Sequence, residues 1–189
     1  MMRTVLALAL CALAACTTPE LRVAPAAPET APDATPSARQ AIPFASVEMA
    51  LVTMPIYAAT EEIFAQQADG TLALSGLLWA DEPPRAVTLD LVRHVREITG
   101  ALVAPDPWPF RTFAQVRLDV RVRAFYPTAT GTFLLSGQYF VAPEENGPDR
   151  ARSFRLEQPI AGDGAAALAK ARARAVRALA EDIVERGLR

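Results

Sequence analysis

The chain has 189 residues, of which 51% are hydrophobic, and its formal net charge is -2. This length allows one domain with its own hydrophobic core, and the lack of a basic excess excludes a protein that binds nucleic acid through a charged surface. The sequence contains only two cysteines and one histidine. Sites that need clusters of these residues for metal binding or thiol chemistry are therefore also excluded.

The N terminus has the pattern of a bacterial export signal. Arg3 precedes a short apolar run that ends with Leu13 and two alanines, directly before Cys16. The run is too short to cross a bilayer as a helix, which favours a cleaved signal peptide over residues 1–15. The ending resembles a lipobox, which implies a diacylglycerol on the Cys16 sulfur and a further acyl chain, such as palmitate, on the new amino terminus. The alternative is a soluble secreted protein with an ordinary cleavage site.

The segment after the cleavage site has the composition of a linker. It contains few large apolar side chains, and its prolines interrupt helices and strands. These prolines include Pro19, Pro25, Pro28, Pro32 and Pro36. We therefore predict a lipidated N terminus and an extended tether over residues 16–43, followed by a folded domain over residues 44–189. Cys11 leaves with the signal, so the domain itself has no thiol and no disulfide.

Turn and capping signals divide the first half of the domain. The expected elements are strands over residues 46–54, 62–67, 71–78 and 101–104, and a helix between Asp81 and Gly100. In the first strand we expect Val47, Met49 and Leu51 to face the core, because they alternate with their neighbours. The second and third strands flank a turn and predict a hairpin. Asp81 is the expected N-cap of the helix and Gly100 its C-cap.

A strand meander and a second helix are expected in the other half. The elements are strands over residues 116–124, 133–141 and 153–158, and a helix over residues 165–186. Apolar and charged residues alternate throughout residues 116–124, which predicts that the even-numbered side chains are buried. Both helices have apolar residues at helical spacing. We therefore predict an α+β fold, a two-layer sandwich in which two amphipathic helices pack on one face of a mostly antiparallel sheet.

The sequence contains no pattern that is typical of a catalytic or metal site. Motifs for a nucleophilic serine, a phosphate loop or a metal centre are missing. His94 lies inside the first helix without partners for catalysis. Asp81 and Glu82 are adjacent carboxylates, for which helix capping is a better explanation than acid–base chemistry. We therefore expect no enzymatic activity, no metal and no cofactor.

Two further features have both a structural and a functional interpretation. Arg117, Arg121 and Arg123 form a stripe on one strand, which indicates a solvated sheet face rather than a patch for anionic lipids or a partner. Trp79 precedes the first helix, where a side chain that fills the core is favoured over an interface anchor.

The best candidate for a partner-binding segment is the loop from Pro105 to Phe110. Its three prolines restrict the backbone, so that little entropy would be lost on binding. Trp108 and Phe110 supply the large apolar area that is typical of interface anchors. The alternative is that Trp108 folds back and closes the end of the core.

Four segments, in this order, resemble the ABC-type transport auxiliary lipoproteins, the PqiC/YmbA-like family. They are Trp79-Ala80-Asp81-Glu82-Pro83, Asp106-Pro107-Trp108-Pro109, Val116-Arg117-Leu118-Asp119-Val120-Arg121-Val122 and Gly162-Asp163-Gly164. The resemblance extends from about Val47 to the C terminus. It departs from the family near Tyr57, where Ala58-Ala59-Thr60 stands in place of a leucine and an Arg-Pro pair.

The resemblance implies a protein of the cell envelope that is not an enzyme. Its expected partners are an MCE-domain protein, with the associated ABC transporter or permease, and the membrane that holds its lipid anchor. The protein would sit on the periplasmic face of the outer membrane and take part in lipid transport between the two membranes; assembly into a homo-oligomer is compatible with this role. The alternatives are a lipid carrier with its own apolar pocket and a factor for outer-membrane assembly.

Overall fold

The computed structural model describes residues 21–25, 39–145 and 147–189. The predicted signal peptide, Cys16 and most of the predicted tether lie outside these residues. Within them the chain forms eight strands and three α-helices. In chain order these are β1 (Arg22–Val23), β2 (Ser46–Met49), α1 (Ile56–Ala59), β3 (Glu62–Gln66), β4 (Leu72–Trp79), α2 (Pro83–Thr99), β5 (Leu102–Pro105), β6 (Val116–Pro127), β7 (Thr132–Pro143), β8 (Arg150–Pro159) and α3 (Gly164–Asp182). Helix α3 continues as a π-helical turn, Ile183–Leu188.

The strands form two sheets. The larger sheet has the order β5-β2-β6-β7-β8, in which β2 is parallel to both neighbours and β6, β7 and β8 are an antiparallel meander. The smaller sheet has the order β1-β4-β3, and its hairpin β3–β4 is antiparallel. The predicted α+β class is confirmed. Most paired residues lie in antiparallel ladders, but three of the six strand pairs, namely β1–β4, β2–β5 and β2–β6, are parallel, which the sequence did not indicate. The sequence did not reveal that the hairpin belongs to a second sheet.

The two long helices supply the apolar layer that the larger sheet needs. The expected inward residues of α2 and α3 are buried, namely Val87, Leu91, Val95, Leu168, Ala175, Val176 and Leu179. Gly100 ends α2 in the left-handed conformation, at a φ of 76°, and its N–H bonds to the Arg96 carbonyl, as the C-cap prediction requires. Asp81 is not the N-cap. Glu82 occupies that position without a side-chain cap, and the Asp81 carboxylate instead accepts hydrogen bonds from the Glu82 N–H and from Arg85.

Strand β2 ends earlier than the sequence indicates. Leu51 was expected to face the core, but 57% of its surface is exposed, whereas Val52 is buried. The Val52 N–H donates to the buried Thr88 hydroxyl of α2, at 2.9 Å. Because a side chain of the helix takes up this backbone donor, the regular strand alternation stops at Met49 and the prediction for Leu51 is wrong.

Strand β6 confirms the predicted alternation and adds an irregularity. Its even-numbered side chains from Val116 to Val122 are buried against the helices. A β-bulge between Val122 and Ala124 then shifts the register, so that Phe125 also turns into the core. Gly137 of β7 lies opposite this point, where a Cβ atom would collide with the backbone of Arg121 and Val122.

Part of the predicted tether is built into the fold. Arg22 and Val23 pair with Leu78 and Trp79 of β4 in parallel register, and Val23 is buried. The Arg22 guanidinium also contacts the Glu61 carboxylate at 2.6 Å. The prediction of one extended tether over residues 16–43 is therefore wrong at these positions, because a single buried valine among prolines and alanines gives no periodic strand pattern.

The burial of β6 leads to a stability prediction. We expect Val120→Asp to lower the free energy of unfolding by at least about 3 kcal/mol, because it places an unpaired charge among buried side chains. Val120→Thr keeps the shape of the side chain and should cost about 1–3 kcal/mol. Arg121→Ser removes only exposed contacts and should cost less than about 1 kcal/mol. Urea unfolding measures all three, and equal losses would contradict the assignment of the two faces.

Candidate protein-docking surface

The loop of residues 106–115, here called the aromatic loop, joins the edge strand β5 to the central strand β6. Hydrogen bonds hold both of its ends against β2. The Asp106 N–H bonds to the Met49 carbonyl at 2.8 Å, and the Gln115 N–H bonds to the Ser46 hydroxyl at 3.0 Å. The Gln115 side chain also accepts the Ala45 N–H at 2.6 Å. The loop is therefore fixed where it leaves and rejoins the sheet.

The aromatic side chains of this loop contact one another. The rings of Trp108 and Phe110 lie 5.0 Å apart in an edge-to-face arrangement, and the Trp108 Nε1–H donates to the Thr112 carbonyl at 2.6 Å. Trp108 is half-buried and Phe110 is exposed. A third aromatic residue, Phe113, is 91% exposed. Since the hydrogen bond and the ring contact of Trp108 are made within its own loop, the alternative in which it closes the core is not supported.

Phe113 was missed by the sequence analysis. The signal that could have found it is the presence of three aromatic residues within six positions of one loop, at Trp108, Phe110 and Phe113. Side chains of this kind at a rigid surface provide anchors that a partner can bury. The geometry can thus support protein docking, and nothing in it resembles a reaction centre.

Two of the three arginines in the stripe on β6 have carboxylate partners, and the third, Arg123, is exposed. Arg117 lies 2.8 Å from Glu48 and 3.6 Å from Asp106. Arg121 lies 2.7 Å from Asp119, and its guanidinium is 4.8 Å from the Phe140 ring centre. The hydrogen bond with Asp119 raises the pKa of Arg121. These pairs match the interpretation of the stripe as a solvated sheet face, where ion pairs contribute little to stability.

Trp79 fills the core, as predicted. Its ring lies 5.7 Å from that of Phe125 and 6.3 Å from that of Phe133, which connects the smaller sheet to the larger one. Arg172 of α3 covers this cluster, with its guanidinium 5.6 Å from the Trp79 ring centre. Arg172 is only 4% exposed, and its Nη1 lies 3.2 Å from a carboxylate oxygen of Asp90 on α2. Burial lowers the pKa of Arg172, and the charge of Asp90 opposes this effect.

The interior beside Arg172 leaves little space for a ligand. A hollow of about 10 Å³ lies between Val23, Trp79 and Arg172, which is just large enough for one water molecule. A larger depression near Arg39 and Glu97 is open to solvent. Neither has the enclosed apolar shape that an acyl-chain pocket requires, so neither favours the lipid-carrier alternative.

His94 has a structural environment. It is buried in α2, with its Nδ1 3.4 Å from Glu97. Burial, followed by the neighbouring charge of Arg93, lowers its pKa, which favours the neutral ring at pH 7. In the part of the chain that the structure describes, no three metal-binding side chains come together. In the same part, no helix has the length and apolar character needed to cross a membrane.

The sequence matches a known protein family. A family model described as the ABC-type transport auxiliary lipoprotein component matches residues 26–184. The chain belongs to this family. Its members are thus lipoproteins that assist ABC-type transport, and the match includes the aromatic loop, the hairpin and both long helices. No curated protein matches the sequence.

Two solved structures resemble the auxiliary lipoprotein fold described here. A crystal structure of an uncharacterized protein is 22% identical with a TM-score of 0.65, over 77% of this chain and 94% of that one. A crystal structure of a Xanthomonas campestris protein from the DUF330 family is 17% identical with a TM-score of 0.59, over 88% of this chain and 90% of that one. At these identities the likeness shows a shared fold.

The two tryptophans of this auxiliary lipoprotein should differ in their effect on stability. We expect Trp79→Ala to lower the free energy of unfolding by about 3–5 kcal/mol, because it removes a buried ring at the junction of the sheets. Trp108→Ala should cost less than about 1.5 kcal/mol, since the ring packs on its own loop. Urea unfolding followed by circular dichroism compares them. A loss for Trp108→Ala as large as that for Trp79→Ala would show that the loop is part of the core.

Proposed function

We propose that this auxiliary lipoprotein is anchored by Cys16 to the periplasmic face of the outer membrane and docks an MCE-type lipid transport system there. Family membership supports an envelope protein that assists ABC-type transport. The lipobox-like ending before Cys16 supports the anchor, and Thr17 supports the outer membrane, since aspartate at this position commonly retains lipoproteins in the inner membrane. The expected partner is an MCE-domain protein, with its ABC transporter or permease.

The observation that carries the docking role is the aromatic loop. Its ends are fixed by hydrogen bonds to β2, while Phe113 is almost fully exposed and Phe110 is partly exposed beside Trp108. A preorganised loop loses little conformational entropy on binding, and buried aromatic side chains supply most of the affinity in many interfaces. The protein would therefore act as a binding component and not as an enzyme.

The anchor can be tested by metabolic labelling. We expect the protein to incorporate a labelled fatty acid and Cys16→Ser to abolish the label and leave an unprocessed precursor, because the thiol is the site of modification. The matched control is Cys11→Ser, which changes the other cysteine and should keep the label and the cleavage. Fatty acid on the Cys16→Ser protein would contradict the assignment. Recovery of the natural protein in the inner-membrane fraction would contradict the outer-membrane location.

The docking role can be tested by co-purification from crosslinked cells with identification by mass spectrometry. We expect the natural protein to recover an MCE-domain protein or an ABC transporter subunit. Replacing Trp108, Phe110 and Phe113 together by alanine should reduce this recovery at least about tenfold, because interface anchors are lost. Ile56→Ser, at another exposed apolar residue, is the control and should not change it. Undiminished recovery with a stable triple variant would exclude the aromatic loop, and recovery of outer-membrane assembly proteins alone would favour that alternative.

A further inference from the structure

Strand β1 determines where the N-terminal chain leaves the domain. It is parallel to β4, and the Leu78 N–H donates to the Leu21 carbonyl at 3.1 Å. Because the two strands are parallel, the start of β1 is directed towards the start of β4 at Leu72. Cys16 precedes Leu21 by five positions, so it can lie at most about 18 Å from Leu21.

The end of the hairpin β3–β4 has an exposed apolar surface. Leu74 is 64% exposed, and Leu72 is also exposed. The six residues from Leu72 to Leu78 span at most about 20 Å. The register shift between Leu74 and Leu78 shortens this distance, so the chain up to Cys16 can cover most of it. Leu21, at the beginning of the described chain, is itself 62% exposed. Leu72 and Leu74 pair with Gln66 and Phe64 and therefore share one face of the hairpin. Large apolar groups that are exposed together mark contact sites, and these two lie within the reach of the anchor.

The charges of the hairpin favour an apolar contact over an electrostatic one. Between Glu62 and Leu78 the only ionisable side chains are Glu62 and Asp69, both acidic. Asp69 lies in the turn and accepts hydrogen bonds from the Thr71 N–H at 2.9 Å and hydroxyl at 2.7 Å. The carboxylate is therefore satisfied within the turn. The hairpin strands themselves carry no basic group, and Arg22 of the adjacent β1 is paired with the Glu61 carboxylate.

We propose that the end of this hairpin, through Leu72 and Leu74, rests on the lipid bilayer that holds the acylated Cys16. The proposal rests on the anchor assigned above. The anchor keeps the hairpin close to the bilayer, and this high effective concentration allows a small apolar patch to stay in contact. The occupant of the patch is thus a lipid surface, and the contact should not depend on anionic lipid.

Such a contact would orient the whole domain. The hairpin ends at Trp79, which packs on Phe125 near the end of β6, whereas the aromatic loop joins the start of β6 at Val116. Nine residues of strand separate these points, or about 30 Å. A domain held at the hairpin therefore has its aromatic loop at the far end of the central strand, where a periplasmic partner can reach it.

The test uses the full-length acylated protein with one added cysteine. Cys11 leaves with the signal and the Cys16 sulfur is acylated, so Leu74→Cys provides a single free thiol for an environment-sensitive fluorophore. Leu102→Cys is the matched control, because Leu102 is an exposed leucine near the start of β6. Both proteins are reconstituted into phosphatidylethanolamine–phosphatidylglycerol vesicles, with and without lipids that carry a quencher on the acyl chain.

We expect the label at position 74 to shift to shorter wavelength and to be quenched, at low and high salt, while the label at position 102 stays unchanged. A fluorophore at Ala68→Cys, in the turn, should also be quenched, and Leu72→Ser with Leu74→Ser should abolish this quenching while the protein still floats with the vesicles.

Protein that floats with the vesicles but shows an unquenched label at position 74 would overturn the hairpin contact and leave the anchor intact. Protein that carries no fatty acid and does not float would overturn both. A position-74 label in vesicles that shifts to shorter wavelength but is not quenched from the acyl chains would show that another protein surface covers the hairpin, which would also overturn the assignment to lipid.

Discussion

The packing of Trp79 under Arg172 holds the parts of this fold together. The indole ring comes from the smaller sheet and lies against Phe125 and Phe133 of the larger one, while Arg172 of α3 covers it and reaches Asp90 of α2. A buried arginine is costly without a partner, so the ion pair with Asp90 and the contact with the ring are needed together. One cluster thereby fixes both sheets and both long helices.

The same cluster fixes the point at which the N-terminal chain leaves the domain. Val23 lines the hollow beside Trp79 and Arg172, so the same packing that joins the sheets holds β1 in place. In the proposed arrangement, five positions separate Cys16 from Leu21, and β1 enters the domain parallel to β4. The proposed membrane contact and the aromatic loop are then separated by about the length of β6, which suits the proposed role of facing a membrane and a partner at once.

The sequence predicted where the candidate docking loop lies, but it did not reveal all the residues that form its exposed surface. Prolines on both sides of Trp108 indicated a shaped surface loop, and the structure places Phe110 at the surface as expected. Phe113 was missed because a lone phenylalanine next to a strand is as typical of a core as of a surface. The hairpin leucines were missed for the opposite reason, since alternation in a strand predicts one buried face and does not say whether a second layer covers it.

Local patterns in the sequence determined the α+β class, the two amphipathic helices and the buried face of β6, because these depend on composition and on periodicity within one segment. Only the tertiary structure decided the division into two sheets, the bulge before Phe125, the burial of Arg172 and the docking of Val23. Each of these depends on residues that are distant in the chain. Similar long-range contacts are the close approach of Gly137 to the Arg121 backbone and the hydrogen bond from the Val52 N–H to the Thr88 hydroxyl. Contacts of this kind leave no periodic trace in the segments that make them.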